Sequence, residues 1–308
     1  MSEIELNEPA LWDRMAEILS VAANLCLHEL PSARANPDRP SQADVEHSKF
    51  QELFGTDEPM QWIVELTGSY LFEMSHELLA LSELLRAREL TGSVEVLSRA
   101  VVERAGRTIW VLEEDDDVNP RVRAIRAALE TAVSYQHYRR VVSDLGQTDS
   151  EMKELVEAVR AQRSKLESWF SVEKPVGSDS SEVSKWVVED QEYPTYEKLA
   201  RWVLDETTAP GRAALGTYGV LSSFSHPSYI AGREHRIIVD DKSITYSYSA
   251  DYIDKVVRLA LFGFTKALSH WMGYFDQGHE ALLSGLQSIE HEWEALTPAT
   301  GTASGSRP

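Results

Sequence analysis

Basic residues are scarce in this chain: 30 Lys and Arg stand against 50 Asp and Glu, a formal charge of −20. Sequence-blind binding to bulk DNA needs many phosphate-neutralising cations, and the balance argues against it. Cysteine is scarcer still. Cys26 stands alone, which excludes an internal disulfide and a four-cysteine zinc site and fits a reducing compartment. No run of about 18 uncharged apolar residues occurs; the most hydrophobic segment, 256–275, is interrupted by Arg258, Lys266 and His270. The opening Met1-Ser2-Glu3-Ile4-Glu5 is acidic where a signal peptide would be basic and then apolar. The expectation is a cytoplasmic protein that spans no membrane. Phosphate-cradling glycine loops and Gly-x-Ser-x-Gly elbows are also missing. His-Glu occurs at His28, His76, His279 and His291, never with a second His three residues beyond the Glu, so a zincin helix is excluded.

What is present is helical periodicity, in a chain that is 43% hydrophobic and 26% charged, an ordinary globular composition. Leu11, Met15, Ile18, Ala22 and Leu25 recur at three- and four-residue steps up to Pro31. Three prolines make 31–42 a loop. A long helix over 59–90 turns Ile63, Leu66, Tyr70, Met74, Leu78, Leu81 and Leu85 inward, and Ser93 is placed to cap the next, 94–113. Helices over about 121–145, 150–170, 195–208, 211–225 and a pair over 250–295 follow, with 171–181 a mobile loop. One segment departs from this pattern: β-branched and aromatic runs flank Asp240-Asp241-Lys242, the signature of a small β-hairpin over 236–248. The expected fold is all-α, a multi-helix bundle with that one hairpin, forming a single domain over 1–296 with a disordered tail at 297–308.

Three groups of residues carry chemistry. Glu95, Arg99, Glu103 and Arg107 follow at four-residue steps, each able to pair with the next. Two readings stay open for them: a solvated salt-bridge ladder, or, since apolar residues lie nearly all round that helix, charges that are buried and must be paired. Tyr218, Ser222 and His226 share one helix face, and Pro227 sets the imidazole at the helix's C-terminal end, where free carbonyls favour its protonated form. There it is either a capping histidine or an acid–base group. The basic segment Arg121, Arg123, Arg126, Arg139 and Arg140 contains His137 and Tyr138, and Arg123, Arg126, His137 and Arg140 share a face. Such a strip either holds a phosphate-bearing ligand, since Arg offers a planar fork to those oxygens, or neutralises the acidic runs at 113–117 and 182–206. Glu73-Met74-Ser75-His76 is a Glu-x-x-His whose approximate mate, Asp276 to His279, has Asp for Glu and an internal glycine; a polar surface stripe explains it better than a metal site. Trp62, Trp186, Trp202 and Trp293 line either a pocket or plain core.

Two patches, Leu84-Leu85-Arg86-Ala87-Arg88 leading to Ser98-Arg99-Ala100-Val101-Val102-Glu103, and Tyr-x-x-x-Ser-x-x-x-His-Pro from Tyr218 to Pro227, resemble helical bacterial proteins on the fringe of the HEPN superfamily, some related to abortive-infection proteins. The resemblance covers about 60–230. It implies a helical bundle, often dimeric, in which the Arg/Glu helix faces the Ser/His helix. Catalytic HEPN members resemble metal-independent ribonucleases with an Arg four to six residues before the His. Here those positions are Ser222, Leu221 and Val220, so the cation would have to come from Arg99 or Arg107 across the helix interface. Three functions follow as expectations. The first is a bundle whose seam of Arg99, Glu103, Arg107, Tyr218, Ser222 and His226, with Arg123, Arg126 and Arg140, binds a small anionic or nucleotide-like ligand without a cofactor. The second is a conditional ribonuclease of phage-defence or toxin type acting on RNA through His226, Arg99 and Glu103. The third is a scaffold that adds its hairpin to a partner's sheet.

Overall fold

Apolar side chains recurring every three or four residues give each helix a stripe to bury, and packing those stripes together makes the fold. The computed structural model describes residues 8–29, 40–90, 92–113, 119–145, 149–204, 212–225, 236–240, 243–246, 250–275 and 280–296. The helices are α1 (Glu8–Glu29), α2 (Gln42–Phe54), α3 (Glu58–Ala87), α4 (Ser93–Leu112), α5 (Pro120–Asp144) and α6 (Asp149–Trp169). They continue with α7 (Tyr196–Leu204), α8 (Arg212–Ser225), α9 (Ala250–Phe275) and α10 (Glu280–Leu296). Two-residue strands β1 (Val172–Glu173), β2 (Val187–Val188) and β3 (Gln191–Glu192) form a small antiparallel sheet, and β4 (Arg236–Asp240) pairs with β5 (Ser243–Tyr246) as a hairpin. The all-α bundle with its hairpin is therefore the observed architecture.

The pair α3 and α4 forms the centre. Helix α1 packs on α3, α9 lies along α4, α5 crosses α3 and pairs with α6, α10 covers α1, and α7 and α8 lean on α4. One connected set of buried side chains runs from Trp12 in α1 to Trp293 in α10. Cys26 belongs to it, and burial pushes its thiol up to about 11. Among the described residues no helix is long and apolar enough to cross a membrane.

Local chemistry sets the boundaries. Ser41 caps α2 by accepting from the Asp44 N–H at 3.0 Å while the Asp44 carboxylate accepts from the Ser41 N–H, a capping box, and Gly55 ends the helix at φ 69°. Asn119 and Pro120 open α5. Three details differ from the sequence reading. Helix α2 is absent from the expected helices; it buries only Ala43, Glu46 and Phe50, one of them a carboxylate. Gly92, at φ 72°, takes the N-cap position of α4, and Ser93 is already helical. The segment 171–181 contains β1 and a 3₁₀ turn at Ser178–Ser181 rather than loop alone. Tail residues 297–308 and His226 lie outside the described residues.

At Gly106 the backbones of α4 and α7 come so close that a Cβ there would sit 2.6 Å from the Leu199 carbonyl oxygen. Glycine is what lets α7 dock, and α7 begins at Tyr196, a wall of the site described next.

Candidate functional site

A polar cleft of about 600 Å³ opens where α3, α4, α5 and the segment leading into α7 converge. Helix α4 contributes Glu103, Arg104 and Arg107, α3 contributes Tyr70 and Glu73, α5 contributes Glu130, Ser134, His137 and Arg140, and Tyr193, Thr195 and Tyr196 close the far side. The i, i+3/i+4 spacing within α4 and α5 sets each group on one wall.

At the base, Arg107 Nη1 donates to both oxygens of Glu130, at 2.6 and 2.8 Å, and to the Tyr193 hydroxyl. Tyr70 donates to the same carboxylate at 2.5 Å and Ser134 at 3.3 Å. Glu130 is fully buried and Arg107 is 15% exposed. Burial alone would lower the Arg107 pKa, but Glu130 and the neighbouring phenols outweigh it and the net shift is upward, so this cation does not titrate. Burial, reinforced by Glu130, raises Tyr70 and Tyr193, which stay neutral phenols. All the Arg107 contacts converge on Nη1, so its other N–H groups are not consumed by Glu130 or Tyr193.

About two turns back along α4, Arg99 Nε donates to Glu103 Oε1 at 2.5 Å and its Nη2 to the Tyr218 hydroxyl at 3.1 Å, while Tyr218 donates to Glu103 at 2.9 Å. The Tyr196 ring lies between the two guanidiniums, 5.8 Å from Arg99 and 5.7 Å from Arg107. On the α3 side, Arg104 Nε donates to Glu73 at 2.6 Å and its Nη1 to Glu77 at 2.7 Å. Burial, opposed by Arg104 and reinforced by Glu73 and Glu103, pushes the Glu77 carboxyl up to about 7. At the mouth, Arg140 is half exposed and holds Glu182 at 3.0 Å, with His137 one turn before it.

The expected ladder is thus only partly a ladder. Arg99 closes on Glu103, but Arg107 crosses to α5, and Glu95 is turned inward beside Tyr252, where burial raises its pKa. Arg99, Glu103 and Arg107 are paired and only partly buried, 13%, 19% and 15% exposed, between the two readings. The basic strip divides. Arg140 and His137 reach the cleft, whereas Arg123 and Arg126 do not line it. Arg123 is 2% exposed and bound to Glu46 at 3.1 Å and to the Glu113 carbonyl; Arg126 is bound to Glu113 at 2.8 Å. As ligand contacts both are corrected: they are internal ties, Arg123 to the fully buried Glu46 and Arg126, 10% exposed, to Glu113, itself a quarter exposed. Tyr218 accepts from Arg99, and Ser222 is one turn further along α8, half-buried. Glu73 is spent on Arg104, and the His76 ring lies tilted against Phe72, their centres 4.3 Å apart. Trp186 and Trp293 are core, Trp202 stacks on Trp110, and Trp62 lines a second groove.

Sequence reasoning missed Tyr70, Arg104, Tyr193 and Tyr196. Glu130 is the lone acid between Arg121 and Arg140 in the sequence, but nothing local marks a tyrosine from a distant segment. A pattern does recur once the chain is folded: Glu130–Arg107–Tyr193, Glu103–Arg99–Tyr218 and Glu46–Arg123–Tyr274 each set a guanidinium against a carboxylate and over a phenol ring, at 5.4, 5.4 and 4.8 Å.

No family model matches this chain, and no curated protein or solved structure matches it. The functional reading therefore rests on the cleft.

Proposed function

We propose that the cleft binds a small anionic ligand, the Arg/Glu seam serving as its frame. The observation that supports this is convergence: Arg104, Arg107, Arg140 and His137, from two helices, line one opening in a chain of charge −20. Long-range attraction for anions is absent in such a chain, so an anion needs local, directional donors, which guanidinium forks supply. Glu130 holds Arg107, Glu73 with Glu77 holds Arg104, and Glu182 holds Arg140, each leaving further N–H groups for the ligand. The test is calorimetric titration with inorganic phosphate and small phosphorylated compounds, on wild type and Arg140→Glu. Binding that weakens at least tenfold in the variant and declines with salt is expected. Absence of binding, or binding indifferent to Arg140→Glu, overturns the reading.

A second reading, the conditional ribonuclease, draws on the 3.1 Å Arg99–Tyr218 contact, which ties the Arg/Glu helix to the helix that ends one residue before His226. Tyr218 lies about 10 Å along the helix from Ser225, so Arg99 sits at the start of that face, and RNA cleavage lost in His226→Ala is the result that would favour this reading over ligand binding.

A further inference from the structure

Beside the cleft, and sharing Tyr70 and Ser134 with it, lies a second groove of about 370 Å³ between α3, α5 and α6. Its character is different. Trp62 forms part of its wall, Tyr135 and Tyr138 stand on the α5 side, 39% and 60% exposed, and Glu65 and Gln162 offer an acceptor and an amide at its edge. Exposed tyrosines flanking a concave surface with a few polar groups form a site for a planar ring with a polar edge, not for a hydrocarbon chain.

The two spaces are one stripe apart on α5. Glu130, Ser134 and His137 face the cleft, while Thr131, Ser134, Tyr135 and Tyr138 face the groove. Neighbours three or four apart on a helix stand ~5–6 Å from one another at Cβ, a separation that a ribose spans. Resting on the anion reading above, we infer that cleft and groove form one bipartite site for a nucleotide, its phosphate held by the Arg140–His137 side and its base lying across Tyr138 and Tyr135. Base–aromatic stacking tolerates any base because every base has a π-face, so the groove selects a ring in general rather than one base.

The same base and phosphate can arrive as a free nucleotide or as the end of single-stranded RNA. Calorimetric titration of the full chain therefore uses the four nucleoside 5′-monophosphates, ribose 5-phosphate and a short single-stranded RNA. The expected result is that at least one monophosphate binds about tenfold or more tighter than ribose 5-phosphate. The Tyr135→Ala/Tyr138→Ala variant should abolish that advantage while leaving ribose 5-phosphate affinity unchanged. Both side chains are solvent-accessible, so the variant is expected to keep its far-UV circular dichroism. Tighter binding of the RNA than of any monophosphate assigns the ligand to RNA, and the reverse to free nucleotide. Equal affinity for ribose 5-phosphate and every monophosphate overturns the ring site while the anion site stands. A base advantage that survives the double substitution also overturns it. If none of these compounds binds, both readings fall together.

Discussion

Replacing Arg107 by alanine strips the counter-charge from a fully buried carboxylate. Glu130 is fully buried and takes two donations from Arg107, with only the Tyr70 and Ser134 hydroxyls left after the change. Removing one partner of a buried ion pair costs about 3–5 kcal/mol, and two surviving hydroxyl donors put this case near the lower end, about 3 kcal/mol. Glu130→Gln is milder, about 1–2 kcal/mol, because Arg107 is part-exposed and can recruit water. The Arg107→Met/Glu130→Leu double variant leaves no charge to desolvate and should be far more stable than the sum of the single changes predicts. Urea unfolding followed by far-UV circular dichroism and tryptophan fluorescence supplies all four values, coincident transitions licensing the two-state treatment. An Arg107→Ala loss below about 1 kcal/mol, or strict additivity in the cycle, would show that the carboxylate reaches water or another cation, and the rigid frame assigned to the cleft would be wrong.

Glu77 gives a pH signature. Its folded value, about 7 against an ordinary 4.5, means that between those limits the folded chain holds more protons than the unfolded one. Stability carried by the protonated carboxyl is therefore present at low pH and lost as pH rises through about 7. Glu77→Gln should gain on the wild type by about 1–2 kcal/mol between acid and mildly alkaline pH, after allowance for the part of the side chain that still meets water; a flat difference across paired urea titrations refutes it. Gly106→Ala drives a methyl into the Leu199 backbone and should cost about 1–3 kcal/mol, read as a lower urea midpoint, with weakened phosphate binding because Tyr196 moves with α7. An unchanged midpoint would mean that α7 is not held as described.

How much of this was legible beforehand depended on the range of the interaction. The stripe from Leu11 to Leu25 and the inward positions of α3 were readable because one helix turn brings those residues together, whatever surrounds them. The β-branched runs around Asp240 were readable for the same local reason. Helix α2 was not: its capping box is a short polar signal, and its buried Glu46 makes sense only beside Arg123 and Tyr274, far along the chain. The arginines show the division most clearly. Their spacing identified Arg99, Arg107, Arg123, Arg126 and Arg140 as residues of interest, but spacing is blind to what stands opposite.

Composition and periodicity alone pointed to an acidic helical bundle with a hairpin over 236–248, though not to the small sheet of β1, β2 and β3, because helix formation and stripe burial depend on neighbours within a turn or two. Which charges became internal ties and which line an opening was decided only in three dimensions. A guanidinium is anchored by whichever carboxylate lies across the interface, and Glu130, Glu46 and Glu113 come from parts of the chain that meet Arg107, Arg123 and Arg126 only when the helices have packed.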